Sequence, residues 1–144
     1  VIVGDGPLRE NYELRIKNYG LGDRVKIVGK VSPGEIPKYL AQADVFVRPS
    51  LSEGLGTAFL EAMAAGVPVI GTPVGGIPDF LKGGETGLFC RVGDPESIAE
   101  KIKTVLTDDN LRKRLIVNGR RLVEDKYNWD KIAGKFRRIY LNLN

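Results

Sequence analysis

The chain has 144 residues, the size of one ordinary domain, of which 42% are hydrophobic and 28% charged. This composition supports a folded core and excludes a disordered chain. No apolar run approaches the roughly 20 residues of a membrane-spanning helix. The chain contains no histidine, which excludes His-based catalysis and His metal sites within it. Its one cysteine, Cys90, excludes an internal disulfide and fits a reducing, cytoplasmic compartment.

The net charge of +4 is unevenly distributed along the chain. Residues 1–109 hold 12 Lys and Arg against 15 Asp and Glu, whereas residues 110–144 hold 10 against 3. The simplest interpretation of this basic segment is a solvated helix face. The alternative is contact with nucleic acid, with an anionic membrane surface or with an acidic partner. Of these, contact with the inner face of the membrane is kept as a candidate, and nucleic acid is not expected as the partner.

Strand-like and helix-like segments alternate along the sequence. Residues 1–3 read as a strand, 8–19 as a helix that ends at Gly20, and 24–31 as a second strand. Ser32 as the N-cap and Pro33 at the first position then start a helix that runs to about Ala43. Further strands are predicted at 44–49, 67–71 and 87–92, and further helices at 57–65, 77–81, 95–106, 109–126 and 129–142.

This alternation predicts a Rossmann-like α/β fold, a parallel sheet with helices on both faces. We expect one domain over residues 1–144, with helices from about residue 109 packing on it or toward another lobe. The chain begins inside a strand-like run, so a piece of a longer protein is expected. Ligands of such sheets bind beyond the carboxyl ends of the strands, which directs attention to the turns that follow them.

Two of these turns lack a phosphate-binding signature. Gly4-Asp5-Gly6 does not complete G-x-G-x-x-G, because the last glycine is replaced by Arg9. Gly29-Lys30-Val31 lacks the Ser or Thr that follows the lysine of a P-loop.

The stretch SEGLGTAFLEAMAAGVPVIGTPVGG, from Ser52 to Gly76, is more informative. Gly54 and Gly56 allow close approach of a ligand to the backbone, and the helix that starts at Thr57 presents free N–H groups that attract phosphate. Glu61 lies four residues after Thr57, on the same face. The pattern favours a diphosphate at the glycine turn, with Glu53 and Glu61 accepting hydrogen bonds from sugars on either side. The alternative is that Glu53 only complements the helix dipole and Glu61 is an ordinary surface residue.

The same stretch resembles the E-x7-E signature of retaining glycosyltransferases of family 4, the group 1 type. VIVGDGP, ADVFVRPS, ETGLF and GDPESIAEKI are similar to the same family, in the same order, so the resemblance covers nearly the whole chain. It implies the C-terminal, donor-binding lobe of a two-lobed B-type fold. It also implies a nucleotide diphosphate sugar as donor, a hexosyl group transferred to a hydroxyl acceptor as in polysaccharide biosynthesis, and no metal or other cofactor.

By this resemblance, Glu61 binds the ribose diol and Thr57 marks the helix start at the diphosphate. Glu53, the catalytic candidate, holds the transferred sugar. The remaining predicted binding residues act mainly through their backbone, beside the sugar (Gly54, Leu55, Gly56) and beside the base (Gly29, Lys30, Val31). Arg48 and Ser50 are expected to line the same cleft.

The sequence departs from the family pattern in three respects. Leu55 stands where an aromatic is usual. The strand and loop that carry an arginine and a lysine for the diphosphate would precede Val1, which would leave a gap in the sheet or force the first and third strands together. The acceptor lobe is not in the sequence, so this chain alone is expected to be inactive. That lobe is the partner expected to contact the apolar stripe of the last helix.

Three other functions remain as alternatives. A non-catalytic nucleotide-sugar-binding module or partner subunit would share the same site. A nucleotide-sugar epimerase of the same architecture would be expected to use histidine. A nucleic-acid-binding protein would show steep dependence of its affinity on salt.

Overall fold

The computed structural model describes residues 1–142 of the chain. The strands in this part are β1 (Ile2–Val3), β2 (Ile27–Gly29), β3 (Phe46–Arg48), β4 (Val69–Gly71) and β5 (Leu88–Phe89). The α-helices are α1 (Arg9–Asn18), α2 (Ile36–Leu40), α3 (Thr57–Ala65), α4 (Ile77–Phe80), α5 (Pro95–Thr107), α6 (Asp109–Lys126) and α7 (Trp129–Leu141). Strands and helices alternate from β1 to α5, so the predicted α/β class is confirmed.

The strands are shorter than the sequence pattern predicts. The second strand was expected from Arg24, yet β2 starts only at Ile27. The reason is local, because the backbone N–H groups of Arg24 and Val25 both donate to the carbonyl of Leu21 in a turn and are not available to a strand. The helix predicted from Ser32 likewise begins as a short 3₁₀ helix, Pro33–Glu35, before α2.

The strands of the described residues form two parallel sheets, in the orders β1-β2 and β3-β4-β5. β1 pairs with β2, with Ile2 opposite Ile27. β1 and β3 thus belong to different sheets of the described residues. The chain also divides into two compact units, Val1–Tyr39 and Leu40–Asn144, which are described separately below.

The first unit is a small β-α-β arrangement. α1 connects β1 to the parallel strand β2, and none of its residues is buried. After β2 the carboxylate of Glu35 accepts hydrogen bonds from the backbone N–H of Ser32 at 3.0 Å and from its hydroxyl at 2.6 Å. Both bonds lower the pKa of Glu35, and the bond from the hydroxyl makes the larger contribution. The predicted role of Ser32 at this helix start is thus confirmed.

The second unit holds the main core, on both faces of the sheet β3-β4-β5. On one face Ile70 of β4 packs with Val105 of α5 and Leu115 of α6. Neighbouring strand residues point to opposite faces, so Val69 lies on the other side, the side of Phe59 and the ring of Phe46. Helices therefore cover both faces of this sheet, as predicted.

α6 ties the loops of the second unit together by side-chain hydrogen bonds. Arg114 donates to the carbonyl of Gly84, Asn118 to that of Glu85 and Arg120 to that of Ala65. Two cations of the basic C-terminal segment, Arg114 and Arg120, thus make contacts within the fold, which a purely solvated helix face does not predict.

α7 presents an apolar stripe that the described residues leave largely uncovered. Trp129 is 81% exposed, Tyr140 68% and Phe136 57%. In residues 1–142, no helix combines the length and the apolarity needed to cross a membrane.

Asp94, the N-cap of α5, gives a pH-dependent prediction. Its carboxylate accepts hydrogen bonds from the N–H of Ser97 at 2.9 Å and from Nε of Arg91 at 2.7 Å. Both bonds lower the pKa of Asp94 below its ordinary value of 3.8, and the bond from Ser97 contributes most. When the pKa of a carboxyl group is lower in the folded state than in the unfolded state, its ionised form stabilises the fold. This contribution is fully present above the pKa of the unfolded state and is lost as the pH falls through the pKa of the folded state.

We therefore expect Asp94→Asn, which keeps a capping oxygen but no charge, to reduce the free energy of unfolding at neutral pH. The difference should shrink as the pH falls below about 4. Urea unfolding at several pH values measures this difference. The control is Asp23→Asn, because Asp23 is exposed and has no hydrogen bond or ion pair among the described contacts. A loss that is constant with pH would contradict a role for the charge.

Candidate functional site

The loop that follows β3, residues 49–56, carries Glu53 and is called the acidic loop. Glu53 is largely shielded, with its side chain 14% exposed, and its Oε2 lies 2.9 Å from Nη2 of Arg48, the last residue of β3. The hydroxyl of Ser50 donates to the same oxygen at 3.3 Å. The structure thus brings together three residues predicted to line one cleft.

The acidic loop is anchored to the end of β4. The buried hydroxyl of Thr72 donates to the carbonyl of Ser50 at 2.6 Å, and the N–H of Gly76 donates to the carbonyl of Gly54 at 3.0 Å. A Cβ added to Gly75 would overlap the carbonyl oxygen of Glu53. Close approach of two backbones thus requires glycine at position 75.

Gly75 and Gly76 are positioning residues of the site that the sequence reasoning did not assign. The two glycines lie in the turn between β4 and α4. The signal that could have found them is the adjacent glycines at a strand's carboxyl end, which often mark backbone packed on backbone.

The start of α3 is built on a left-handed glycine. Gly56, with φ of 71°, is the N-cap, so no side chain caps the helix, and its carbonyl accepts from the N–H of Phe59 at 2.9 Å. A Cβ at Gly56 would lie 3.0 Å from the Phe59 ring and 3.3 Å from Cγ of Glu53. The first N–H groups of a helix have no partner within it, so those of Thr57 and Ala58 are directed toward the space before α3.

The other predicted residues of this segment are accessible. Thr57 and Glu61 are exposed on α3, four residues apart and therefore on one face, and Leu55 is 46% exposed. Among the described contacts, Glu61 has no hydrogen bond or ion pair. Its carboxylate is thus available to accept hydrogen bonds from a ligand.

The predicted base-contacting turn belongs to the first unit. Gly29 is buried and has φ of 85°, and its carbonyl accepts from the N–H of Gly4 at 2.9 Å. A Cβ at Gly29 would approach Nη1 of Arg9 to 2.9 Å. Lys30 is exposed and Val31 half-buried. The turn therefore lies at the carboxyl end of β2, where a parallel sheet places its ligands.

Residues 1–142 contain no group of three or more Asp, Glu or Cys side chains placed to hold a metal ion. Cys90 lies in the core of the second unit, 2% exposed, where burial raises the pKa of its thiol.

Comparison with known proteins identifies the family. Residues 1–122 match the family model of glycosyl transferases group 1. The chain therefore belongs to the group 1 glycosyltransferases, as the resemblance predicted.

Individual relatives agree in sequence and in fold. The chain is 36% identical over 143 residues to N-acetyl-alpha-D-glucosaminyl L-malate synthase of Bacillus anthracis. The match covers 99% of this chain and 37% of that protein. Sucrose-phosphate synthase of Thermosynechococcus elongatus has 35% identity and a TM-score of 0.87, covering 98% of this chain and 37% of the other. The Anabaena protein HepE in complex with UDP-glucose has 25% identity and a TM-score of 0.85, covering 97% and 40%.

The chain thus spans somewhat more than a third of the length of these relatives. The fold is the Rossmann-like fold of B-type glycosyltransferases, as expected.

Proposed function

We propose that this chain is the donor-binding, C-terminal lobe of a retaining glycosyltransferase. The whole enzyme would transfer a hexosyl group from a nucleotide diphosphate sugar to a hydroxyl acceptor. The observation that carries the proposal is the placement of Glu53 and Glu61 around the start of α3. The retaining course and the hexosyl donor rest on the resemblance to family 4.

The start of α3 would bind the diphosphate. The left-handed Gly56 caps the helix without a side chain, and the N–H groups of Thr57 and Ala58 have no intrahelical acceptor, so they favour an anion. During transfer, negative charge grows on the departing diphosphate. Donors already aimed at that charge lower the barrier without reorganisation.

The two glutamates would bind the sugars on either side of the diphosphate. Glu61, exposed one turn into α3 and without an ion pair among the described contacts, would accept hydrogen bonds from the ribose diol. Glu53, held in the acidic loop together with the backbone of Gly54, Leu55 and Gly56, would accept from hydroxyls of the transferred sugar. A carboxylate accepts such bonds more strongly than a neutral group does.

The turn at Gly29, Lys30 and Val31 would contact the base. It lies at the carboxyl end of β2, and its backbone groups can read the edge of a base without a distinctive side chain. Binding without a metal is part of the proposal, since the charge of the diphosphate would be met by N–H groups and by cations of the rest of the enzyme.

The acceptor lobe of the longer protein is the proposed partner of α7. The apolar stripe of that helix, exposed at Trp129, Phe136 and Tyr140, supports a docking face. The relatives are much longer than the chain, which leaves room for such a lobe. A second candidate function is a non-catalytic subunit that binds a nucleotide sugar. It is kept because the residues discussed above are all proposed to bind the donor, and none is proposed to bind an acceptor.

The test is calorimetric titration of the chain with UDP, GDP, ADP and dTDP and with a sugar conjugate of each. We expect one base to be preferred. Glu61→Gln should weaken binding of that nucleotide by roughly 10- to 100-fold, the effect of removing a charged hydrogen-bond partner. Glu124→Gln, an exposed carboxylate on α6, is the matched control and should bind as the wild type does.

Equal affinities for the Glu61→Gln and Glu124→Gln variants would contradict the role of Glu61. If neither the folded chain nor the folded full-length protein binds any of the nucleotides, the donor-lobe proposal fails. Transfer assays on the full-length protein separate the enzyme from the non-catalytic subunit, since only the enzyme releases the nucleoside diphosphate in the presence of an acceptor.

A further inference from the structure

We propose that Arg48 is a positioning residue that holds the carboxylate of Glu53 in the orientation needed for the transferred sugar. The inference rests on the proposed function and assigns a sugar-specific role to a side chain that need not touch the donor. Its basis is the ion pair of 2.9 Å between Nη2 of Arg48 and Oε2 of Glu53.

The backbone places Arg48 on the correct side of the sheet. Phe46 and Arg48 are two residues apart on β3, so their side chains leave the same face. The ring of Phe46 packs edge-on against Phe59 of α3, with centroids 5.3 Å apart. The guanidinium therefore lies on the face where α3 begins and where the acidic loop returns.

The two carboxylate oxygens of Glu53 have different surroundings. Both described contacts, from Arg48 and from the hydroxyl of Ser50, fall on Oε2. No buried side-chain oxygen of the described residues lacks a hydrogen bond, so Oε1, which receives neither contact, retains access to solvent. One oxygen is thus held by the protein, and the other is left to accept from a sugar hydroxyl.

The ion pair also differs from the other ion pairs of the described chain in its shielding. The side chain of Glu53 is 14% exposed, whereas the carboxylates of the other ion pairs range from 28% exposed at Asp94 to 70% at Asp109. Exposed pairs constrain their side chains little, but a shielded carboxylate depends more on its partner for both charge and orientation. Removing Arg48 should therefore free the rotamer of Glu53 while leaving the fold in place, because Arg48 itself is 47% exposed.

The test compares a nucleotide with its sugar conjugate. UDP and UDP-glucose, or GDP and GDP-mannose if the wild type selects guanine, are titrated into the wild type, Arg48→Leu, Arg48→Lys and Arg121→Leu. We expect Arg48→Leu to lose roughly 10-fold in affinity for the sugar conjugate and less than about 2-fold for the nucleotide alone. Arg48→Lys should restore part of the loss. Arg121→Leu, which removes an arginine 82% exposed on α6, should change neither.

A double-mutant cycle shows whether Arg48 acts through Glu53. If it does, adding Arg48→Leu to Glu53→Gln should cause almost no further loss of sugar-conjugate affinity. Additive losses would overturn the inference, as would equal losses for nucleotide and conjugate, unchanged binding, or tighter binding of the conjugate by Arg48→Leu. If neither the folded chain nor the folded full-length protein binds any conjugate, the proposed function is overturned as well, an outcome that is seen before any variant is compared.

Discussion

Gly75→Ala is expected to displace the acidic loop and to abolish measurable binding of a nucleotide sugar. The added Cβ would overlap the carbonyl oxygen of Glu53, so either the turn after β4 or the acidic loop must move. A displacement of about 1 Å in a binding group can reduce function by roughly 100-fold. Alanine at the φ of 54° found at Gly75 adds backbone strain of about 1–2 kcal/mol.

Gly93→Ala separates strain from collision. Gly93 has a similar φ of 67°, but a Cβ there meets no atom within 4 Å. Both variants should therefore lose stability through strain, and Gly75→Ala should lose donor affinity in addition. Calorimetric titration measures the affinity, and thermal unfolding shows that each variant is folded. Equal donor affinities in the two variants would mean that the contact of Gly75 with Glu53 does not position the site.

Phe59→Ala is expected to cost about 3–5 kcal/mol of the free energy of unfolding, a large part of the stability of an ordinary domain. Phe59 is fully buried, and its ring lies 5.3 Å from that of Phe46 and 5.8 Å from that of Phe80. The ring also fills the space beside Gly56 and Gly71, where an added Cβ would approach it to 3.0 and 2.8 Å. Truncation thus removes the support of the turn that starts α3.

Phe136→Ala is the matched control, because that ring is 57% exposed on α7. Its effect on the stability of the chain should lie within about 0.5 kcal/mol. Urea denaturation of the three proteins measures the difference. A loss at Phe59 no larger than that at Phe136 would contradict a central role for the ring in the core of the second unit.

The support beneath α3 connects stability to the proposed chemistry. The buried ring of Phe59 anchors α3 in the core, and Gly75 and Gly76, in the turn after β4, contact the backbone of the acidic loop. Glu53 is therefore held by groups from three consecutive segments of the fold. Such rigid support suits a group that must meet a sugar hydroxyl in one geometry.

Much of the chain's organisation follows from local sequence signals. Alternating strand-like and helix-like patterns predicted the order of the elements. The helix predicted from residue 95 is observed as α5, which begins at Pro95 with Asp94 as its N-cap. These signals succeed because capping and turn formation involve residues close in the chain. Strand length was predicted less well, since it depends on local turns, as before β2, and on which backbone groups find partners in another segment.

The sequence by itself determined the α/β class, the family and the position of the two glutamates around a glycine-rich helix start. Only the tertiary structure decided which oxygen of Glu53 is held, by the cation at Arg48, and that Gly75 must be glycine. The physical reason is distance along the chain: the contact between Gly75 and Glu53 joins residues on turns after different strands. Their close approach exists only once β3 and β4 are paired in the sheet.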